Sequence, residues 1–325
     1  MKAVLVTHPG GPEGLTLGDA PDPVPAPHEL LIKVKAAGVN RADVLQRQGK
    51  YPPPAGASEI LGMELSGEVI AKGHDVTKFK IGDRIMALVT GGAYAELCAV
   101  PEATALPVPQ GMDFEHAAGV PEAFVTAWLN LFDQGLLEKD ETVLIHAGAS
   151  GVGAAAIQLA REAQAQTLTT VGSPEKKEWV LRLGASKAIL RKEEDITKAV
   201  LEATQGEGAH LILDFVGAPA WKANLQSLRR GGRLILIGFL GGSRGELDLG
   251  LIMRKNLHVT GTTLRGTPLS KKSEWMQEFD LFARKRFENG QLTVPLDKTF
   301  PLAAAAEAHR YMEEDRNLGK IVLVL

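Results

Sequence analysis

Cys98 is the only cysteine in 325 residues, which excludes an intrachain disulfide and any zinc site built from several thiolates. A reducing compartment fits this composition. Long apolar runs are also missing. The N-terminal MKAVLVTHPGG reads as a short strand entering a turn, too brief for a signal peptide or a membrane span, so cytosol is the expected address. Neither sign of charge dominates: 36 Lys and Arg stand against 39 Asp and Glu, for a formal net charge of -3. That balance gives no broad attraction for phosphate backbones or anionic membranes, and nucleic acid is not expected as a partner. The eight histidines show no HExxH spacing. There is no internal repeat, and the only low-complexity tract, Ala303 to Ala306, reads as good helix.

What is present is an ordinary globular composition, 45% hydrophobic and 23% charged, long enough for two domains. Up to about Val120, strand-like runs (LLIKVKAAGV, SGEVIAKG, RIMALV, YAELCAV) alternate with Gly and Pro turns. PDPVPAPHE, from Pro21 to Glu29, reads as an extended connection, because proline has no amide to give a ladder. Beyond Pro121 the pattern becomes strand, helix, strand. VLIHAG, TLTTV, KAIL, LILDFVG, RLILIG and LHVTGTT give six strands with amphipathic helices among them, the wiring of a doubly wound parallel Rossmann sheet. After about Leu264 come two helices and the strand GKIVLVL, a tail expected to rejoin the first domain. The expected division is therefore 1–121 with 264–325, around a nucleotide-binding insertion at 122–263.

The strand Val143 to His146 leads into Gly148-Ala149-Ser150-Gly151-Val152-Gly153 and then directly into an apolar helix. A pyrophosphate needs this geometry. Glycines let the backbone approach it, and the free amides of a helix N-terminus face its charge. The middle glycine of the GxGxxG pattern is replaced by Ser150. An NAD site usually has a carboxylate at the end of the second strand, about twenty residues beyond the glycines. This strand ends instead in Gly172-Ser173, with Lys176 and Lys177 a turn later and Arg191 after the third strand. A small residue and nearby cations suit a 2'-phosphate, so the expected cofactor is NADPH, with Lys176 as a phosphate ligand. The competing reading makes the lysines a solvated helix face, with Glu175 offsetting them.

With those segments in view, the chain resembles the zinc-independent, zeta-crystallin-like quinone oxidoreductases of the medium-chain dehydrogenase/reductase superfamily, and within them the tumour-suppressor-inducible type. The similarity runs through NRADVLQRQGKYPPPAGAS, ILGMELSGEV, KIGDRIMAL, VLIHAGASGVGAAAIQLAR, LILDFVG and AHRYMEEDRNLGKIVL. It implies a GroES-like β-rich catalytic domain beside the Rossmann domain, and a homodimer pairing the LHVTGTT strand of each subunit. Zinc-dependent relatives carry cysteine and histidine in the segments matching GVNRAD and GMELSG. Asn40 and Met63 stand there instead, neither a usual zinc ligand. Alcohol oxidation needs a Lewis acid or a strong base. A quinone needs only to be held against the nicotinamide, because its conjugated carbonyls accept a hydride readily.

The resemblance also implies the site residues. Asn40 is to orient the carboxamide or quinone oxygen, and Tyr51 is to bond or stack on the acceptor. Thr126 matches a nicotinamide-contacting hydroxyl. Gly217, the Gly238-Phe239-Leu240 turn and Asn317 match cofactor contacts. Each has a plain structural alternative: a helix cap for Asn40, packing for Tyr51, a backbone bond for Thr126, turns for the rest. His146 reads as a buried structural histidine, and Trp128 and Phe132 as core. The competing functions are reduction of an activated alkene, with Tyr51 as proton donor, and nucleotide binding without catalysis.

Overall fold

The computed structural model describes residues 1–325 and divides the chain into two compact units, Met1–Val125 with Leu264–Leu325, and Thr126–Thr263. No helix is long and apolar enough to cross a membrane.

The first unit opens with β1 (Lys2–Val6) and β2 (Leu15–Asp19), an antiparallel pair. Then come β3 (Glu29–Val39), β4 (Glu64–Lys72), β5 (Arg84–Leu88), β6 (Leu97–Pro101) and β7 (Ala105–Pro107), all joined by antiparallel ladders. β3 starts with alternating buried and exposed side chains and then becomes wholly buried, as a strand passing from a sheet surface into a core does. Its last residue, Val39, precedes Asn40, and helix Arg41–Arg47 follows at once. Asp43 in the first turn accepts from the Asn40 N–H at 2.8 Å, satisfying a donor at the helix entrance.

The second unit carries β8 (Thr142–Ile145), β9 (Gln166–Val171), β10 (Lys187–Leu190), β11 (Ala209–Asp214), β12 (Leu228–Leu236) and β13 (His258–Gly261). They form a parallel sheet in the order β10-β9-β8-β11-β12-β13, and the order reverses beside β8. All four residues of β8 are buried, as helices on both faces of a parallel sheet require. Four of its helices are capped by side chains: Ser150, Ser173, Asp195 and Asp248 each accept from an amide three residues on. Helix Pro174–Leu183 has proline in its first turn and ends at Gly184, whose φ of +117 only glycine adopts readily.

The chain returns to the first unit through Leu264, helix Leu269–Glu288, β14 (Leu296–Pro301), helix Ala305–Glu313 and β15 (Lys320–Val324). β15 pairs parallel with β14 and antiparallel with β3. It thus lies inside the sheet, and Leu30, Ile32, Leu65, Ile85, Tyr94 and Leu323 belong to one buried cluster. The α/β architecture, with a GroES-like sheet and a six-stranded Rossmann sheet, is the expected one. β2, β14 and the short helix Leu249–Lys255 carry no clear signal in the sequence; that helix buries none of its side chains.

Candidate active site

In the second unit the carboxyl ends of the strands are tied by buried polar groups. His146, just past β8, is buried, and both ring nitrogens are engaged: Nδ1 with Thr170 Oγ1 at 3.0 Å and Nε2 with Asn224 Oδ1 at 2.7 Å. Asn224 Oδ1 can only accept, so Nε2 carries the proton and Nδ1 accepts from Thr170. Burial holds this imidazole below its ordinary pKa, so it is neutral and structural. Asn224 Nδ2 donates to Asp214 Oδ2 at 3.1 Å, and Asp214 Oδ1 accepts from the N–H groups of Val216 and Gly217 at 2.7 and 3.1 Å. This carboxylate shapes the turn at which Gly217 takes φ +85.

The glycine turn runs from β8 into helix Gly151–Glu162. A Cβ on Gly148 would overlap Thr169 Oγ1, and one on Gly153 would overlap the Ala147 carbonyl and come within 2.8 Å of Gly148 Cα. Both positions therefore need glycine for close strand–helix packing. Ser150 Oγ accepts from the Gly153 N–H at 3.0 Å, so the hydroxyl is a cap, and Gly151 and Val152 open the helix, whose first amides have no acceptor within it, the arrangement that suits an anion.

The corner beyond β9 has the composition a phosphomonoester wants. Gly172 is exposed, and a Cβ there would lie 3.4 Å from Arg191 Nη2, so the guanidinium borders space that glycine leaves open. Ser173 Oγ caps the next helix by accepting from the Lys176 N–H at 3.3 Å. Lys177 Nζ pairs with Glu194 at 3.0 Å, and Lys176 lies in the first turn of the same helix. Thr126 Oγ1 is buried without a hydrogen-bond partner, although the Thr126 carbonyl accepts from Asn130 Nδ2 at 2.7 Å. That orphaned hydroxyl, the glycine turn and the cationic corner fit a phosphorylated dinucleotide. Gly217 lines a cavity of about 190 Å³ with Trp221 and Phe239. Gly238 has only the Phe215 backbone near a hypothetical Cβ, while Phe239 and Leu240 are 55% and 57% exposed. A larger cavity of about 510 Å³, lined by Glu141, His210, Arg229, Arg233 and His258, lies at the opposite ends of these strands.

The first unit places Asn40 in a buried ionic cluster. Asn40 Nδ2 donates to Glu64 Oε1 at 2.9 Å, and Lys320 Nζ donates to Asn40 Oδ1 at 2.9 Å and to Glu64 Oε1 at 2.5 Å. Glu64 and Lys320 are 0% and 2% exposed. Both polar ends of Asn40 are thus occupied, and its amide is oriented by charges from two strands. Behind it, Tyr94 Oη donates to Asp43 Oδ2 at 3.3 Å and meets His309 Nε2 at 3.3 Å, and Arg47 Nη1 faces His309 Nδ1 at 3.4 Å. Burial pushes Asp43 up to about 6, and burial with the Arg47 and Arg41 charges pushes His309 down to about 3.

Tyr51 lies elsewhere in this unit. It is half-buried, with the Arg265 guanidinium 5.3 Å from its ring centroid, and no hydrogen bond joins it to Asn40. Asn317 Nδ2 is used inside its own turn, donating to the Gly319 carbonyl at 2.8 Å. Sequence reasoning missed Glu64, Lys320, Asp43, Arg265, Asp214 and Asn224. The one local signal was a charge inside the apolar strand around Glu64; the partners are brought in by the fold.

Residues 26–110 match the alcohol dehydrogenase GroES-like domain, and residues 151–284 match the zinc-binding dehydrogenase family. The quinone oxidoreductase of Pseudomonas aeruginosa is 36% identical over 318 residues, 97% of each chain. The crystal structure of Escherichia coli quinone oxidoreductase complexed with NADPH superposes with a TM-score of 0.92 at 30% identity, over all of both chains. A mycobacterial protein complexed with NADPH gives a TM-score of 0.91 at 32% identity, again over both whole chains. The zinc in the second family's description finds no fitting donors here. No three His, Cys, Asp or Glu side chains gather as a metal site, Asn40 is spent on Glu64 and Lys320, and Met63 is a buried thioether. Fold, glycine turn and end-to-end similarity agree: the chain belongs to the quinone oxidoreductase-like proteins of the medium-chain dehydrogenase/reductase superfamily.

Proposed function

We propose that the protein is an NADPH-dependent quinone reductase that works without a metal ion, of the tumour-suppressor-inducible type whose segments the sequence resembles. The observation that carries the cofactor choice is the corner beyond β9, where exposed Gly172 leaves space beside Arg191 and no carboxylate competes for it. Arg191, Lys176 and the Ser173 turn bind the 2'-phosphate, the amides of Gly151, Val152 and Gly153 receive the pyrophosphate, and Thr126 Oγ1 takes the nicotinamide carboxamide. Gly217, Gly238, Phe239 and Leu240 border the ribose and ring, with Asn317 a further contact. When bound, the cofactor supplies a hydride. Asn40, held by Glu64 and Lys320, presents a fixed amide, and Tyr51, held by Arg265, presents a phenol to the acceptor.

The relatives named above support quinone as the acceptor. A quinone also asks least of a site whose own groups orient rather than polarise. The test compares NADPH and NADH oxidation with an ortho-quinone, in wild type and in Lys176→Ala. The expected result is wild-type turnover with NADPH well above NADH, and a loss in Lys176→Ala confined to NADPH. Equal losses with both nucleotides would overturn the phosphate assignment, and absence of any quinone turnover would overturn the function. The protein works as a homodimer through β13, the outermost strand, which pairs only with β12 and exposes Val259. Sedimentation showing only monomer at micromolar concentration would contradict this.

A further inference from the structure

The cavity of about 510 Å³ in the second unit lies at the strand ends opposite the glycine turn, and its size is one that small organic ligands occupy. The sequence builds it with an insertion. β11 and β12 run parallel, but between the pairs Ala209 with Leu228 and Leu211 with Arg233, β11 advances two residues and β12 five. The surplus, Arg229-Arg230-Gly231-Gly232, is looped out of the ladder through Gly231, whose φ is +73 and beside which a Cβ would meet only open space. Two arginines are thereby carried to the start of the sheet, into a cavity they share with His210 of β11 and His258 of β13.

Charge in this cavity is one-sided. Three guanidinium groups and two imidazoles line it with a single carboxylate, Glu141, and that carboxylate is paired with Arg233. Arg233 also donates to the Leu136 carbonyl at 2.7 Å. Arg230 Nη1 donates to the Arg254 carbonyl at 2.9 Å, and neither Arg230 nor Arg229 has a carboxylate partner. His210 supplies the decisive detail. Its Nδ1 accepts from the Thr142 N–H at 3.1 Å, while Arg229 Nη1 stands 2.5 Å from its Nε2. Burial, with the Arg229 and Arg233 charges, holds this ring below its ordinary pKa against the pull of Glu141, so it is neutral, with one acceptor nitrogen and one N–H. Since Nδ1 is the acceptor, the Nε2–H faces a guanidinium N–H, donor against donor. Such a contact calls for an acceptor that both hydrogens can reach, and the one carboxylate of the cavity is held by Arg233.

We propose that this cavity is a second anion site, which takes a phosphate or a phosphomonoester with an oxygen shared between His210 Nε2 and Arg229 and with Arg230 beside it. A phosphate oxygen accepts from both hydrogens and turns the opposed donors into two hydrogen bonds, one of them from a guanidinium, whose fork suits phosphate. A tetrahedral anion also offers oxygens to donors arriving from two strands, where a carboxylate offers two in one plane. The cavity is larger than the anion alone requires, which leaves room for an organic group against Gln134, exposed Leu136 and Thr260. β11 and β12 lie inside the sheet, so these donors do not belong to its edge strand β13. The site is independent of the quinone reading and of the corner at Gly172, which lies at the other ends of the strands.

Calorimetric titration tests the site. NADPH-loaded protein, its nucleotide corner filled, is titrated at fixed ionic strength with inorganic phosphate and with glucose 6-phosphate, and with glucose and acetate as controls. Phosphate is expected to saturate a single site, and the controls to give no saturable heat. Tighter binding of the ester assigns the site to a phosphorylated metabolite, and weaker binding assigns it to the free anion. Arg229→Gln is expected to weaken binding at least about tenfold, the strength of one charged hydrogen bond, and Arg230→Gln to weaken it less. Lys222→Gln, which removes an exposed cation outside the cavity, is expected to leave it unchanged. In a second measurement, the His210 Nε2 nitrogen resonance, identified by its loss in His210→Asn, is expected to shift as phosphate is added. The proposal is overturned by absent phosphate binding, by acetate binding as tightly, by wild-type affinity in folded Arg229→Gln, by an equal loss in Lys222→Gln, or by a His210 resonance that stays still while phosphate saturates.

Discussion

The two units build their binding chemistry from opposite materials. In the second unit it is mostly backbone: glycines that no side chain can replace, amides at a helix start, and one carboxylate, Asp214, that folds a turn. The first unit uses side chains, with Asp43, Glu64, Arg47, His309 and Lys320 all buried and most bonded to one another. Backbone sites are rigid and local. Buried side-chain clusters are costly, because each ion removed from water must find its partner, and the partner here comes from a distant part of the chain. The lesson is that one unit can lose binding without losing stability, whereas the other ties the two together.

The sharpest way to break this contrast is Lys320→Met, which leaves Glu64 buried without its cation. It is expected to cost about 3–5 kcal/mol, measured by chemical denaturation, and Glu64→Gln in the same chain should return part of that. Next is Gly153→Val. Its added atoms collide with the Ala147 carbonyl, so NADPH binding measured by fluorescence should fall at least about a hundredfold, the equivalent of roughly 3 kcal/mol of displaced helix start. Arg191→Ala comes third, an expected loss of roughly tenfold in NADPH affinity with NADH unaffected, the size of one charge-assisted bond.

The smallest effect is a slope with pH. Free Glu122 releases its proton near 4.5 but holds it to about 8 in the folded chain. Between those values the unfolded state binds fewer protons, so stability falls as pH rises and levels off above 8. His309 acts at the other side: its folded value near 3 lies below the ordinary 6.5, so its contribution is lost as pH falls from 6.5 toward 3. Glu122→Gln should flatten the upper slope alone in melting curves taken from pH 5 to 9. If it flattens neither, the cluster is less tightly coupled than its geometry indicates.

The same contrast explains what could be read from the sequence. Parallel strands with helices between them write their period directly into the chain, and the glycine turn follows β8 within a few residues, so the strand order and the glycine turn of the nucleotide half were legible. Ser150 and Ser173 were read as cofactor contacts, and in the structure their hydroxyls cap helices, a role local enough to have been visible. The cluster around Asn40 was not legible. Glu64 is 24 residues from Asn40 and Lys320 is 280 from it, and no periodicity announces such a meeting. Arg265 and Glu122 each sit beside a boundary between the units, where the helix and strand patterns fade.

β15 lies between β14 and β3 and carries Lys320. During synthesis the chain must therefore wait: β3 and β4 emerge long before the strand that closes their sheet, and Glu64 precedes its counter-ion by 256 residues. Until Lys320 has emerged, the nascent first half holds an open ladder edge and a carboxylate without its cation.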